Sequence, residues 1–283
     1  MRPPLVRLKR RAFVAGRASE GERAVPEEVP VALVYDGGTE AVMMASPADL
    51  EDFAIGFSVT EGIVASPGEI AGLEIVEQEA GIELRMWLAA PRAEALAHRR
   101  RRIAGPTGCG LCGIDSLDEA VRPPPLVGEG RSFAPDEIAA GLRALAAAQS
   151  LGRETRAVHA AGWFEPGRGL VAIREDVGRH NALDKLAGAL LRADEDSARG
   201  MILLTSRVSV EMVAKAAMIG APFLVAVSAP TALAIRTAEE ANVTVAAVAR
   251  DDGFEVFTHP ARIAGAAAIP SSRPPVPSEI NVA

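Results

Sequence analysis

Two cysteines are the residues of this chain best suited to chemistry. Cys109 and Cys112 lie three positions apart in a glycine-rich stretch that runs from Gly105 to Gly113. The glycines allow the backbone to turn so that several N–H groups point at one atom, which stabilises a negative charge such as a thiolate. Nearby cations lower the pKa of a thiol further. Because four arginines, Arg99 to Arg102, precede the loop, the sequence predicts a reactive thiolate here.

Several kinds of site use a Cys-x-x-Cys pair, and the flanking residues favour them unequally. A thioredoxin-like redox pair opens a helix after an early strand, whereas this pair lies between glycines in mid-chain. A structural zinc ion needs four ligands, and a zinc deaminase needs a His-x-Glu motif, which none of the four scattered histidines supplies. We therefore predict no metal site. A sulfur carrier needs only one accessible cysteine of low pKa, so the residues favour a carrier without excluding a redox protein.

The same stretch also matches the glycine spacing of a dinucleotide-binding loop. Gly108, Gly110 and Gly113 have the required separation. That motif functions only between a strand and a helix. Since a basic helix and Gly105-Pro106 precede it here, we reject a dinucleotide-binding loop at this position.

The composition excludes several broad classes of function. The 283 residues are 49% hydrophobic and 24% charged, with 30 basic and 37 acidic residues and a net charge of −7. A negative chain with 4% aromatic residues is a poor binder of nucleic acid, so we expect no such partner. No apolar run reaches membrane-spanning length, and two cysteines cannot form a disulfide framework. The sequence therefore predicts a cytoplasmic protein without a membrane partner.

The pattern of apolar residues predicts an α/β fold, with a mixed or parallel sheet and flanking helices. In the first half, alternating residues predict two hairpins, and Ser46-Pro47 predicts the capped start of a helix that runs to about Val64. In the second half, short apolar strands alternate with helices, which indicates parallel pairing with right-handed crossovers. The predicted strands are 29–35, 41–45, 73–76, 82–88, 156–164, 170–173, 201–204, 222–227 and 243–248, and the predicted helices are 47–64, 91–102, 135–149, 180–191, 209–219 and 231–241.

Four regions are expected along the chain. Residues 1–24 are predicted to be a loosely ordered basic arm, and residues 25–122 a smaller N-terminal α+β lobe that ends in the Cys-x-x-Cys loop. Residues 123–262 are predicted to form an α/β ligand-binding lobe after a run of three prolines. The Pro-rich residues 263–283 are predicted to be a disordered tail.

A dense run of charge from Arg174 to Lys185 has two interpretations that the residues leave open. In one, it is a charged helix start with a pair between Asp176 and His180. In the other, Arg179, His180 and Lys185 line a pocket for an anionic ligand.

Three loops follow the predicted parallel strands and would meet at one edge of the sheet. Ser206 and Arg207 follow one strand, Ser228 to Thr231 the next, and Arg250 to Gly253 the last. Ligands bind at this edge in open parallel sheets, and the amino ends of helices attract phosphate. We therefore predict a nucleotide-sized anion site, where the carboxylates of residues 251 and 252 would suit donors on a purine ring.

Taken together, these motifs resemble the formate dehydrogenase accessory sulfurtransferase family. The resemblance extends from about residue 29 to residue 262 and includes several separate motifs in order, which makes it far more specific than one Cys-x-x-Cys pair. The matching stretches are 45–57, 107–113, 175–185, 206–213 and 258–260.

The resemblance implies a function, a fold and partners. Such proteins take sulfur from a cysteine desulfurase and pass it to the molybdenum cofactor before insertion into formate dehydrogenase. They act as dimers and resemble cytidine deaminases in fold, here in the C-terminal lobe, without the zinc chemistry. By family pattern Cys109 would carry the persulfide and Cys112 would assist.

The family pattern also implies a place for the bis-molybdopterin guanine dinucleotide form of the cofactor. That place, which is more acidic here than in relatives, is expected to lie beside Ser206 and Arg207. Two rival functions remain: a chaperone that only holds the cofactor, and a thiol oxidoreductase. The residues implied at this place are Val248, Ala249, Arg250, Asp251, Asp252 and Gly253.

Overall fold

The computed structural model describes residues 2–90, 92–93, 123–250 and 252–265. Cys109, Cys112, Asp251, nearly all of the helix predicted at 91–102 and most of the predicted tail lie outside the described residues.

Residues 5–26 form an antiparallel two-stranded ribbon, which corrects the expectation of a loosely ordered arm. Strand β1 (Leu5–Val14) pairs with β2 (Arg17–Pro26) along its whole length. The two turn residues, Ala15 and Gly16, both have positive φ, the geometry that suits the twist of a hairpin. The strand signal was missed because the alternating residues are mostly charged rather than apolar.

A four-stranded sheet follows, in the order β4-β3-β6-β5. Both predicted hairpins are confirmed as antiparallel pairs, and the parallel pairing of β3 with β6 joins them. The inner face of this sheet packs its apolar residues against helix α1. The strands are β3 (Val29–Tyr35), β4 (Gly38–Ala45), β5 (Ile70–Glu77) and β6 (Ile82–Leu88).

Helix α1 (Leu50–Thr60) is shorter than predicted, and Ser46 does not cap it. The residue before the helix, Asp49, has a left-handed backbone with φ of 53°, so the helix begins only after it. Ser46 is fully buried and bonds instead to residues of the second half of the chain.

The second sheet has six strands in the order β12-β11-β10-β9-β7-β8. The predicted parallel pairing is confirmed for β9, β10 and β11, while β7, β8 and β12 make antiparallel pairs. The predicted mixed α/β class is therefore confirmed, and the likeness to cytidine deaminases stays a prediction. The strands are β7 (His159–Glu165), β8 (Gly169–Asp176), β9 (Met201–Leu204), β10 (Phe223–Ala226), β11 (Thr244–Arg250) and β12 (Gly253–Val256).

Helices cover both faces of this sheet. One face packs against α4, α5 and α6 and the other against α2, with α3 directly after α2. Ile263, placed at the start of the predicted tail, is buried and pairs with Phe133, so the ordered chain extends further than expected. None of the described helices is long and apolar enough to cross a membrane. The helices are α2 (Pro135–Ala148), α3 (Ser150–Thr155), α4 (Arg179–Arg192), α5 (Val210–Met218) and α6 (Ala232–Glu240), with short 3-10 turns at Pro67–Glu69, Ser197–Arg199 and Pro260–Arg262.

Two glycines allow α1 to cross α4 at backbone contact. A Cβ atom on Gly56 would lie 1.7 Å from the carbonyl oxygen of Asp184, and one on Gly188 would lie 1.9 Å from that of Asp52. No side chain fits between the helices at this crossing. The crossing therefore joins the first sheet and its helix to the second sheet.

We expect Gly188→Ala to lower the free energy of unfolding by about 3 kcal/mol, because the added methyl group must push two backbones apart. Chemical denaturation followed by circular dichroism measures the change. Gly128→Ala is the control, since a Cβ atom there meets nothing within 4 Å. Equal stability of the two variants would contradict the close crossing.

Candidate functional site

The carboxyl ends of the parallel strands bring the predicted ligand-binding loops to one edge of the six-stranded sheet. Strands β9, β10 and β11 run side by side, so the loops that follow Leu204, Ala226 and Arg250 leave the sheet at the same edge. Strand β8 ends at this edge as well, since it pairs antiparallel with β7, which pairs antiparallel with β9. Three of these strands lead into helices whose amino ends point toward the edge.

The first two loops are held together by their backbones. Val208 pairs with Pro230 as an isolated parallel bridge, and Thr231 N donates to Val208 O at 3.0 Å. Ser206 is buried, and its hydroxyl donates to the carbonyl of Arg207 at 3.1 Å. Arg207 itself is exposed. Ser206 therefore shapes the loop, while Arg207 is free to meet a ligand.

The predicted cofactor stretch begins with an irregular strand end. The register of β11 shifts between Ala247 and Arg250, and Val248 has a φ of 54°, a conformation that a β-branched residue rarely adopts. Ala249 is buried. The Arg250 guanidinium donates hydrogen bonds to the carbonyls of Val227 and Ala249. The first of these bonds connects Arg250 to the loop that follows β10.

Beyond Arg250 the described part of this stretch is open to solvent. Asp252 and Gly253 are exposed, and a Cβ atom on Gly253 would meet nothing within 4 Å. The structure thus places the described members of the predicted set at the expected edge.

A buried carboxylate, Asp176, organises the other end of the same edge. Its Oδ2 accepts from Lys185 Nζ at 2.6 Å and from the backbone N–H of Ser46 at 2.9 Å. Its Oδ1 accepts from Gly178 N at 2.8 Å and from Asn181 Nδ2 at 2.9 Å. Both Asp176 and Lys185 have fully buried side chains. Four donors on one carboxylate therefore join the end of β8, the start of α4 and the end of β4.

This network decides part of the question that the sequence left open. The Lys185 side chain is fully buried and paired with Asp176, and its ammonium also donates to Ser46 O at 2.9 Å. Lys185 therefore does not line a ligand pocket. The expected pair between Asp176 and His180 is absent from the hydrogen bonds of the described residues, since the carboxylate oxygens bond to other donors.

Arg179 and His180 remain as candidate ligand-binding residues at the first turn of α4. Arg179 Nε and His180 Nε2 are buried and have no hydrogen-bond partner within the part of the chain that the structure describes. Buried polar atoms without partners are uncommon in proteins, and a bound group would supply the missing bonds.

Burial and neighbouring charge keep the imidazoles here neutral. Burial, followed by the charges of Arg179 and Lys215, lowers the pKa of His180 to about 4. The pKa of His159 is also lowered, first by burial and then by Arg179. His159 and His180 are therefore neutral at neutral pH and can interact with a ligand only through hydrogen bonds, while Arg179 supplies the positive charge.

A second buried ion pair lies along α4, and sequence reasoning missed it. Lys215 Nζ lies 2.8 Å from Asp184 Oδ1 and 2.5 Å from Glu61 Oε1, and Thr60 donates to the same Asp184 oxygen at 2.6 Å. The available signal was a lysine and an aspartate on otherwise apolar helix faces. Among the described residues, no three His, Cys, Asp or Glu side chains form a group that could hold a metal ion.

We expect Lys185→Met to lower the free energy of unfolding by about 3–5 kcal/mol, because Asp176 would keep its buried charge without a cation. Urea denaturation at neutral pH measures the loss. Lys9→Met on the exposed ribbon is the control and is expected to change stability little. A Lys185→Met protein as stable as this control would show that the pair does not organise the edge.

We also expect His180 to titrate near pH 4 in the folded protein, which NMR of its ring protons measures. The unfolded chain binds this proton near pH 6.5, so the stability that neutral His180 contributes is present above pH 6.5 and is lost as the pH falls toward 4. Arg179→Gln should raise the pKa of His180 by on the order of one unit. Arg143→Gln, an exposed change on α2, should leave it unchanged, and an unchanged pKa in Arg179→Gln would refute the cluster.

Comparisons with known proteins cover nearly the whole chain. The chain is 55% identical over 258 residues to the sulfur carrier protein FdhD of Agrobacterium fabrum, which covers 91% of this chain and 95% of that protein. It is 51% identical over 239 residues to the sulfur carrier protein FdhD of Cupriavidus necator, covering 84% and 83% of the two chains.

A solved structure agrees with these relatives. The crystal structure of a protein from Desulfotalea psychrophila, described as a formate dehydrogenase accessory protein, superposes with a TM-score of 0.71 and 26% identity. It covers 92% of this chain and 100% of that one. The model of the FdhD/NarQ family matches residues 26–264, which include the whole carboxyl edge. This chain therefore belongs to the FdhD/NarQ family.

Proposed function

We propose that this chain is a sulfur carrier for the molybdenum cofactor. It accepts persulfide sulfur from a cysteine desulfurase and passes it to the cofactor, in its bis-molybdopterin guanine dinucleotide form, before insertion into formate dehydrogenase. The observation that carries the proposal is the 55% identity, over 91% of the chain, to a protein named as a sulfur carrier. The chain has only two cysteines, so Cys109 and Cys112 are the candidates for bearing the sulfur.

The first chemical step is a thiol–persulfide exchange. The Cys109 thiolate attacks the outer sulfur of the desulfurase persulfide, an S–S bond forms on Cys109, and the desulfurase cysteine leaves as a thiolate. This exchange needs no oxidant or reductant, and its rate depends on the thiolate fraction of Cys109. The product persulfide is more acidic than a thiol and is anionic at neutral pH.

The second step releases the outer sulfur and needs two electrons if the sulfur leaves as sulfide. Cys112 can supply them, since attack of its thiolate on the inner sulfur of Cys109 forms a disulfide and releases hydrosulfide. A reduced metal centre can supply them instead by accepting neutral sulfur, and Cys109 then leaves as a thiolate. The two routes differ in whether a Cys109–Cys112 disulfide forms.

The carboxyl edge of the six-stranded sheet is the proposed binding place for the cofactor. The phosphates of the cofactor would contact the exposed Arg207 and the amino ends of α5 and α6. They would also contact Arg179 Nε, which has no hydrogen-bond partner among the described residues. Asp252 is exposed beside the last loop, where it can accept hydrogen bonds from a guanine ring. In this proposal the protein acts in the cytoplasm as a homodimer.

We expect the protein to gain the mass of one sulfur atom after incubation with a cysteine desulfurase and cysteine. Intact mass spectrometry compares the wild type with Cys109→Ala and Cys112→Ala. The gain should be removed by a reductant, should disappear in Cys109→Ala and should persist in Cys112→Ala. Both variants should show the wild-type circular dichroism spectrum.

Other outcomes would contradict the proposal in distinct ways. No gain in any protein, with an active desulfurase, would favour a chaperone that only holds the cofactor. Loss of two hydrogens without added sulfur would indicate a dithiol–disulfide couple, as in an oxidoreductase. A gain that disappears only in Cys112→Ala would exchange the roles of the two cysteines.

A further inference from the structure

Charge is divided unevenly along the chain. Residues 1–26 contain seven basic and two acidic residues, whereas residues 27–90 contain thirteen acidic residues and one basic residue, Arg85. The first segment is the β1–β2 ribbon, and the second builds the four-stranded sheet and α1. A cationic ribbon therefore extends from the most acidic part of the protein.

The two faces of the ribbon differ. On one face acidic residues stand among the cations, and Arg11 pairs with Glu20 at 2.9 Å. On the other face, which carries Leu8, Arg10, Val14 and Arg17, the strand register places no acidic residue. Neither Arg10 nor Arg17 has an ion-pair partner within the described chain.

The tip of the ribbon is apolar and uncovered. At the tip, Val14 is 70% exposed on the arginine-bearing face and Phe13 is 74% exposed on the opposite face, while Leu8, nearer the base, is 52% exposed on the arginine-bearing face. Contacts with the rest of the protein lie toward the base, where Arg23 donates to the carbonyl of Thr155 at 3.1 Å. An isolated two-stranded ribbon is only marginally stable in water, so a partner surface would stabilise this one.

The outer face of the four-stranded sheet is a second uncovered surface. Val42 and Met44 on its edge strand β4 are 52% and 48% exposed, and Trp87 on β6 is 45% exposed. The register places Glu74 and Glu83 on the same face, where Arg85 pairs with Glu83 at 2.7 Å and leaves Glu74 as the carboxylate open to another cation. This face is thus apolar with acidic neighbours, while the ribbon is apolar with basic neighbours.

We propose that the ribbon of one copy docks on the outer face of the four-stranded sheet of a second copy. Leu8 and Val14 on the arginine-bearing face then meet Val42, Met44 and Trp87. Arg10 and Arg17 on the same face meet Glu74. Within the described chain the ribbon contacts α3 at its base and this outer sheet face stays exposed, so a second copy is the occupant that we propose for it. A twofold symmetric pair satisfies both surfaces of both copies and closes the assembly.

This inference deepens the homodimer of the proposed function and does not depend on sulfur chemistry. The ribbon lies almost entirely before residue 26, where the match to the family model begins. The contact therefore rests on this chain's own residues, on their charge and on their exposure.

Sedimentation velocity of the full chain tests the contact with three double variants. The ribbon variant is Arg10→Glu with Arg17→Glu, and the face variant is Met44→Glu with Trp87→Glu. The control, Arg143→Glu with Arg236→Glu, changes the net charge as much as the ribbon variant at exposed sites on α2 and α6. We expect a dimer for the wild type and control, and at least tenfold weaker association for the other two.

Mixing the two weakened proteins sharpens the test. In the mixed dimer, the unchanged ribbon of the face variant can dock on the unchanged sheet of the ribbon variant. The mixture should therefore associate more tightly than either variant alone and less tightly than the wild type. Circular dichroism and the gain of sulfur on Cys109 are measured on the same samples. A folded variant that loses association but still gains sulfur supports the contact separately from the carrier function.

Three results would overturn the inference. A wild-type monomer would refute the homodimer as well as the contact. A ribbon or face variant that dimerises like the control would refute the contact alone. A monomer that binds phosphatidylglycerol vesicles through Arg10 and Arg17 would assign the ribbon to a membrane surface instead.

Discussion

The candidate site depends on one buried carboxylate. Removing Asp176 and Lys185 from water costs several kcal/mol for each ion, and the mutual attraction offsets this only when the remaining hydrogen bonds are made. Here each carboxylate oxygen has two donors, and the lysine also bonds to a backbone carbonyl. The network fixes the turn between β8 and α4. It therefore sets the direction in which Arg179 and His180 leave the helix start.

Helix α4 links this network to the rest of the fold. Its glycine contact with α1 fixes the distance between the two helices, and the Asp184–Lys215 pair adds α5 to the same bundle. Because α1 packs on the four-stranded sheet and α4 on the six-stranded sheet, continuous packing contacts connect both sheets to the carboxyl edge. The edge is positioned by tertiary contacts far from the loops that form it.

Local patterns predicted much of the fold and less of the site. The parallel strands β9, β10 and β11 and the helices α5 and α6 appear within one or two residues of their predicted bounds, because burial on both faces of the sheet leaves an unbroken apolar signal. The exposed strand β12 was not predicted. The role of Lys185 was not predictable, since a charged helix residue is usually exposed and its partner is nine positions away. Ser46 looked like a cap because its sequence context is local, whereas its actual bonds join distant segments.

We propose that sulfur moves from Cys109 to a cofactor held at the carboxyl edge of the six-stranded sheet. The most direct test loads the protein with radiolabelled sulfur through the desulfurase, removes the desulfurase, adds the cofactor and follows the label. We expect the label to pass to the cofactor from wild-type protein, and more slowly from Arg207→Ala loaded to the same extent. Label that stays on the wild-type protein, or leaves equally fast without cofactor, would contradict it.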